Sequence, residues 1–234
     1  MMPTNDIHGR AIFDHYEGKT KGPLMIDNTY GTPEEMPLEV FFRKEDEFSP
    51  LEQYAVGLCT GHVLDAGAGA GAISLHLQNL GLDVTAMENS KGCIAVMEQQ
   101  GIKNIIENDV FSYEGSGYDT VLLLMNGIGL AGTINGLKTL LAGLLSMLNE
   151  GGQLIFDSSD VSYLKDDLEE DPKYFGELQY RYLYNGMDGE WFNWLYIDQE
   201  TLLSVCTELG ISCQIIFEDE TGQYLVRVCD QGKL

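Results

Sequence analysis

Residues 62–71 read His-Val-Leu-Asp-Ala-Gly-Ala-Gly-Ala-Gly. Val63 and Leu64 favour a strand, the strand ends on Asp65, and three glycines follow at alternate positions: Gly67, Gly69 and Gly71. Ala72 to Leu80 then has helical spacing and stops before Gly81. The pattern predicts a strand that bends sharply into a helix. Glycine permits the positive φ such a bend needs and lets a ligand approach the backbone closely. The helix behind it offers unpaired N–H groups and the positive end of its dipole. Such a turn also serves simply to pack a helix on a strand, so its meaning rests on its surroundings.

Downstream, strands alternate with helices. Leu82 to Met87 is a second strand, Lys91 to Gln100 a helix closed by Gly101, and Asn104 to Glu107 a third strand. Tyr118 to Met125 is a fourth, its VLLLM run suited to a strand covered on both faces. Thr133 to Leu148 is a long amphipathic helix closed by Asn149-Glu150-Gly151-Gly152, and Gln153 to Asp157 is a fifth strand. This alternation predicts a doubly wound α/β fold with a mostly parallel sheet. After it come two aromatic-rich antiparallel strands, Glu177–Asn185 and Glu190–Asp198, around Gly186–Gly189. A helix over Gln199–Leu209 follows, and the chain closes with a hairpin of Ile211–Glu218 and Tyr224–Val228.

Upstream, Ser49 as N-cap, Pro50 at the first helical position and Glu52 in the first turn mark a helix start. Residues 1–35 read as an irregular polar arm or short helices. The expected organisation is an arm and cap helix over 1–57, then one domain over 58–234 with an aromatic insert at about 175–198.

Composition narrows the function. The 234 residues are 44% hydrophobic, enough for a core. Asp and Glu number 37 against 13 Lys and Arg, a net charge of −24. With no basic cluster, that balance argues against nucleic acid and anionic membranes as partners. The opening MMPTNDIHGR has no apolar signal-type stretch. The five cysteines form no C-x-x-C and the four histidines have no ligand spacing, so no metal site is expected. Reduced thiols suit a cytoplasmic protein. Oligomeric state is not legible.

Three acids sharpen the reading of the turn. Asp65 precedes the glycines, where a carboxylate would repel a pyrophosphate but suits an ammonium or sulfonium. Glu88 ends the second strand, placed to accept hydrogen bonds from ribose hydroxyls. Asp109 follows the third strand, where an adenine amino group could be read. All three fall at carboxyl ends of strands, the edge where open α/β sheets bind ligands.

On VLDAGAGAG, Glu88, NDVF (108–111), YDTVLLLMNGIGL (118–130), LNEGGQLIF (148–156) and the terminal hairpin, the sequence resembles the class I S-adenosylmethionine-dependent methyltransferases from about Phe41 onward. Ala68 stands where many members have Cys or Ser, and Asn126 where an acidic residue is commoner. The resemblance implies a seven-stranded Rossmann-like sheet and S-adenosylmethionine as cofactor. Asp65, Ala66, Gly67, Ala68 and Gly69 would then hold the methionine moiety. Glu88 would bind the ribose, and Asn89, Asp109 and Val110 would lie about the adenine. Met125, Asn126 and Gly127 would lie under the methionine and face the acceptor.

Methyl transfer from a sulfonium is an in-line displacement from an activated donor, so alignment matters more than a fixed triad. Acceptor-side candidates are His15 and Tyr16 in FDHYEG, Asn126, Tyr30, and Arg43. Arg43 could hold a carboxylate or form a surface pair with Glu45 or Glu47. The tyrosines of YRYLYNG (180–186), Trp191 and Trp194 could line an acceptor pocket or form one face of a half-buried hairpin. Asp65 could instead brace the turn, and Asp157, Asp160 and DDLEED (166–171) read as solvated. The acceptor is expected to be a small molecule. Two alternatives are a nicotinamide-dependent oxidoreductase and a non-catalytic nucleoside-binding module. The first needs G-x-G-x-x-G, and the third glycine here comes one residue early.

Overall fold

The computed structural model describes residues 5–165 and 173–229. In chain order the arm carries α1 (Ile7–Tyr16), β1 (Leu24–Asn28) and β2 (Glu34–Met36), followed by α2 (Pro50–Leu58). The central run is β3 (His62–Ala66), α3 (Ala72–Asn79), β4 (Asp83–Glu88), α4 (Lys91–Gln100), β5 (Asn104–Glu107), β6 (Tyr118–Leu123), α5 (Ile134–Ser146) and β7 (Leu148–Ser159). Then come β8 (Glu177–Tyr184), β9 (Met187–Asp188), β10 (Phe192–Leu195), α6 (Gln199–Glu208), β11 (Cys213–Glu218) and β12 (Gln223–Cys229).

The main sheet has seven strands in the order β11-β12-β7-β6-β3-β4-β5. Strands β3 to β7 run parallel, and β12 returns antiparallel to β7 with β11 antiparallel beside it. This is the doubly wound sheet with a reversed terminal hairpin that the alternation predicted. Side chains alternate between its two faces. Leu64, Val121, Leu123, Leu154 and Phe156 pack under Leu137, Leu140 and Leu141 of α5 and Leu202 and Val205 of α6. Val63, Leu122, Ile155 and Leu225 pack under Leu51 and Ala55 of α2 and Ile73 and Leu77 of α3.

Strand β7 is longer than expected. Tyr118 pairs with Leu148 and Thr120 with Gln153, so Asn149–Gly152 bulge out of the ladder rather than precede the strand. The α2 start is as read: Ser49 Oγ accepts from Glu52 N, and Glu52 reaches back to Ser49 N.

The arm carries a short helix, one of the two forms expected, but also two strands that were not expected. Asp6 caps α1 by accepting from Gly9 N, and also accepts from Ser90 Oγ and Gly92 N at the start of α4. β1 pairs with β2 on one side and with β8 on the other, giving a second sheet ordered β10-β8-β1-β2, with β9 beside β8. These partners lie some 150 residues apart in sequence, with Asp27 facing Arg181, so no local pattern announces the pairing. The β8–β9 turn has positive φ at both Asn185 and Gly186, the conformation that matches strand twist in a two-residue hairpin.

Candidate cofactor and acceptor site

The bend after β3 is built as its glycines require. Gly67, Gly69 and Gly71 have φ of +77°, +55° and +85°. Gly67 N and Ala68 N donate to Met87 O at 2.9 and 3.0 Å, tying the bend to β4. At Gly71 a Cβ would run into Ile102 Cδ1 and Met97 Cγ, so the bend can lie this close to the end of α4 only with no side chain there. At Gly69 the nearest atom to a Cβ would be Phe41 Cδ1 at 3.8 Å, which leaves the bend open for a ligand.

Asp65 is 4% exposed, and Ser74 Oγ of α3 donates to its Oδ2 at 2.6 Å. It therefore does brace the turn. Burial pushes its carboxyl up to about 6, the Ser74 bonds working the other way. Glu88 accepts from Gly69 N at 2.8 Å on Oε2, and from Asn89 N and Ser90 N on Oε1. Burial raises its carboxyl, against those three bonds. Gly69 thus links the bend directly to the second acid. Asn108 N donates to Glu88 O at 3.1 Å, setting the Asp109–Val110 loop beside it. Asp109 is exposed, its Oδ1 accepting from Phe111 N.

Met125 and Asn126, just past β6, are left-handed at φ +62° and +56°, which costs non-glycine residues energy. Their anchor is Asp157, wholly buried rather than solvated as the sequence suggested. Its carboxylate accepts from Asn126 N at 2.9 Å, Gly127 N at 3.3 Å and Gln223 Nε2 at 2.8 Å. Burial pushes it up to about 6. Ser159 Oγ donates to Asn126 Oδ1 at 2.8 Å. Asp160 accepts from Ser162 N and is partly exposed, and residues 166–171 lie outside the described residues.

A cavity of about 340 Å³ opens at Met125 and Asn126. One wall is the second sheet: Tyr180, Tyr182, Phe192, Trp194 and Tyr196, with Ile26 of β1. Residues 180 and 182 share a face of β8, and 192 and 194 the matching face of β10. Tyr184 is instead buried beside Asp14 and Lys21, and Trp191 takes Arg181 on its ring. Tyr30 does not line the cavity but its hydroxyl bonds that of Tyr180 at 2.8 Å. Arg43 does line it. Its partner is Glu52, not Glu45 or Glu47, with both terminal nitrogens on the two carboxylate oxygens. The capping turn at Ser49 swings Glu52 back to meet it. His15 and Tyr16 stack on Phe42 and are not among the residues lining the cavity.

His8 was not singled out by its sequence neighbourhood. It stacks on Tyr182 with centroids 4.7 Å apart and meets Phe41 edge-on at 5.0 Å, between the glycine bend and the cavity. Burial lowers its imidazole to about 4, so it is neutral at pH 7. Asp157 and Glu52 were equally silent. Of the aromatics named from sequence, Tyr180, Tyr182 and Trp194 line the cavity, as do Arg43, Met125 and Asn126; Phe192 and Tyr196 were missed, although the alternation 192/194/196 carries them.

The chain is 31% identical to an S-adenosylmethionine-dependent methyltransferase from Bacteroides fragilis solved with S-adenosyl-L-homocysteine, over 97% of each chain and with a TM-score of 0.89. The family model of the tellurite resistance protein TehB matches residues 42–122. The fold is shared with CalS10, an amino pentose methyltransferase from Micromonospora echinaspora (16% identity, 75% of this chain and 86% of that one, TM-score 0.53). It is shared also with CcbJ from Streptomyces caelestis (13%, 80% and 96%, TM-score 0.61). No curated protein sequence matches. The chain belongs to the S-adenosylmethionine-dependent methyltransferases. It is an enzyme, and S-adenosylmethionine is its cofactor. No helix among the described residues is long and apolar enough to cross a membrane.

Proposed function

We propose that the carboxyl edge of β3, β4, β5 and β6 holds the cofactor and that the aromatic cavity holds a small-molecule methyl acceptor. Asp65 to Gly69 take the methionine end, with the Asp65 carboxylate facing its positive charge. Glu88 takes the ribose through the lone pairs its backbone bonds leave. Asn89, Asp109 and Val110 flank the adenine. Met125, Asn126 and Gly127 lie under the methionine and form the boundary with the acceptor. S-adenosylmethionine supplies a methyl carbon activated by its sulfonium, so the chain's task is alignment and exclusion of water. The observation that carries this reading is the Gly69–Glu88 hydrogen bond beside the buried Asp65, which sets two carboxylates around an open backbone bend.

A cavity of about 340 Å³ suits a small acceptor. The net charge of −24 disfavours nucleic acid. The five cysteines are all free, which fits a reducing cytoplasmic setting.

The test is calorimetric titration of S-adenosylhomocysteine. Asp65→Ala is expected to weaken binding about 100-fold and Glu88→Ala about tenfold, the range for removing charged hydrogen-bond acceptors. Circular dichroism melting of Asp65→Asn checks that α3 stays braced. Wild-type affinity in both alanine variants would reject the assignment.

A further inference from the structure

The cavity is unusual in what it lacks. Arg43 alone among its described lining residues is cationic, and Glu52 neutralises it on both terminal nitrogens. The Asp157 carboxylate lies directly behind Asn126 and Gln223, two further lining residues. Among the described lining residues no uncommitted cation is left for an anionic acceptor. What remains is an aromatic wall: Tyr182 and Phe192 have centroids 5.2 Å apart, Tyr180 and Tyr196 6.5 Å, and Phe192 and Trp194 6.3 Å in an edge-to-face pair. Aromatic faces carry the negative side of the ring quadrupole and attract cations, most strongly where water is excluded.

We propose that this cavity takes an amine acceptor and holds its methylated ammonium product, with Tyr180, Tyr182, Phe192, Trp194 and Tyr196 as the cation-binding wall. The inference rests on the cofactor and cavity assignment above. A neutral amine's lone pair forms the new N–C bond as the C–S bond breaks, and the C–S electron pair stays on sulfur. Positive charge thereby passes from sulfur to nitrogen, and the complex as a whole neither gains nor loses charge or protons. An aromatic wall at the nitrogen end binds that charge more strongly as it develops, which favours the transition state over the ground state. A carboxylate acceptor, or a hydroxyl as it loses its proton, would bring negative charge against Glu52 and Asp157 with no free cation among the described lining residues to receive it.

The test titrates choline, its neutral carbon isostere 3,3-dimethyl-1-butanol, and benzoate into the protein alone and into its S-adenosylhomocysteine complex. Choline is expected to bind about tenfold tighter than the isostere, the usual scale of a desolvated cation–π contact, with benzoate weakest. Phe192→Leu keeps an apolar wall and is expected to cut that preference at least threefold while S-adenosylhomocysteine affinity stays as in the wild type. Equal affinity for choline and isostere, preference for benzoate, or no choline binding overturns the proposal. Loss of S-adenosylhomocysteine binding would instead strike the cofactor assignment, and the titration of the protein alone still reads the cavity.

Discussion

The five parallel strands of the main sheet come from one continuous stretch, residues 62–159, while the second sheet joins strands at 24–36 to strands at 177–195. The first arrangement concentrates its chemistry at strand ends, each a few residues from a recognisable turn. The second spreads its chemistry along strand faces contributed from both ends of the chain. The proposed cofactor side is therefore a local feature repeated along the sequence. The proposed acceptor cavity exists only where distant segments meet. In the proposed assignment the two sides touch at Met125 and Asn126, and Asp157 holds the Asn126–Gly127 backbone from behind.

That boundary is where the comparison breaks most easily. Asp157→Ala strands the amides of Asn126 and Gly127 and the amide of Gln223 in a buried setting. Stability in urea is expected to fall by about 3 kcal/mol or more, since each unpaired buried donor costs roughly 1–3 kcal/mol. Asp160→Ala, on the same stretch but partly exposed, should stay within about 0.5 kcal/mol of wild type. Equal effects in the two variants would mean that Asp157 does not anchor the loop.

Acidity probes the cofactor side alone. Asp65 titrates near 6 in the folded chain, raised by burial and by Glu88. If its ionised form meets the ligand's ammonium, S-adenosylhomocysteine affinity falls as pH drops through 6 and is about tenfold lower at pH 5 than at pH 7.5. Stability of the unliganded protein moves the other way over the same window. The folded forms of Asp65 and Asp157 hold protons up to about 6, above the ordinary 3.8. Their favourable contribution is complete below the ordinary value and is lost as pH rises through 6. A cofactor affinity flat from pH 5 to 7.5 would separate Asp65 from the ligand.

The smallest expected effect sharpens the acceptor side. Glu52→Gln keeps the capping geometry but leaves Arg43 without its counter-charge. Benzoate should then bind about fivefold tighter and choline correspondingly weaker, on the scale of about 1 kcal/mol for a partly exposed pair. Unchanged ligand preference would show that the Arg43–Glu52 pair does not set the cavity's charge.

Much of the main sheet is legible in the amino-acid sequence. Strand, bend and helix succeed one another within about 30 residues, and the periodicities of 2 and 3.6 change where the elements change. The exceptions have definite causes. Residues 149–152 read as a loop before β7 because a bulge within a ladder has the same glycine-rich composition as a turn. Asp157 read as solvated because its three donors come from residues 126, 127 and 223, none of them near it in sequence.

By itself the sequence determined that β3 to β7 run parallel, the positive-φ bend at Gly67–Gly71 and the acids beside it. Each depends on interactions among residues close along the chain, which composition and spacing record directly. Only the tertiary structure decided that residues 24–36 become strands, that Glu52 rather than Glu45 or Glu47 claims Arg43, and that five aromatics face one cavity. Those outcomes require pairing across more than a hundred residues or a choice among chemically equivalent partners, and that choice is made by which groups the folded backbone brings within hydrogen-bonding distance.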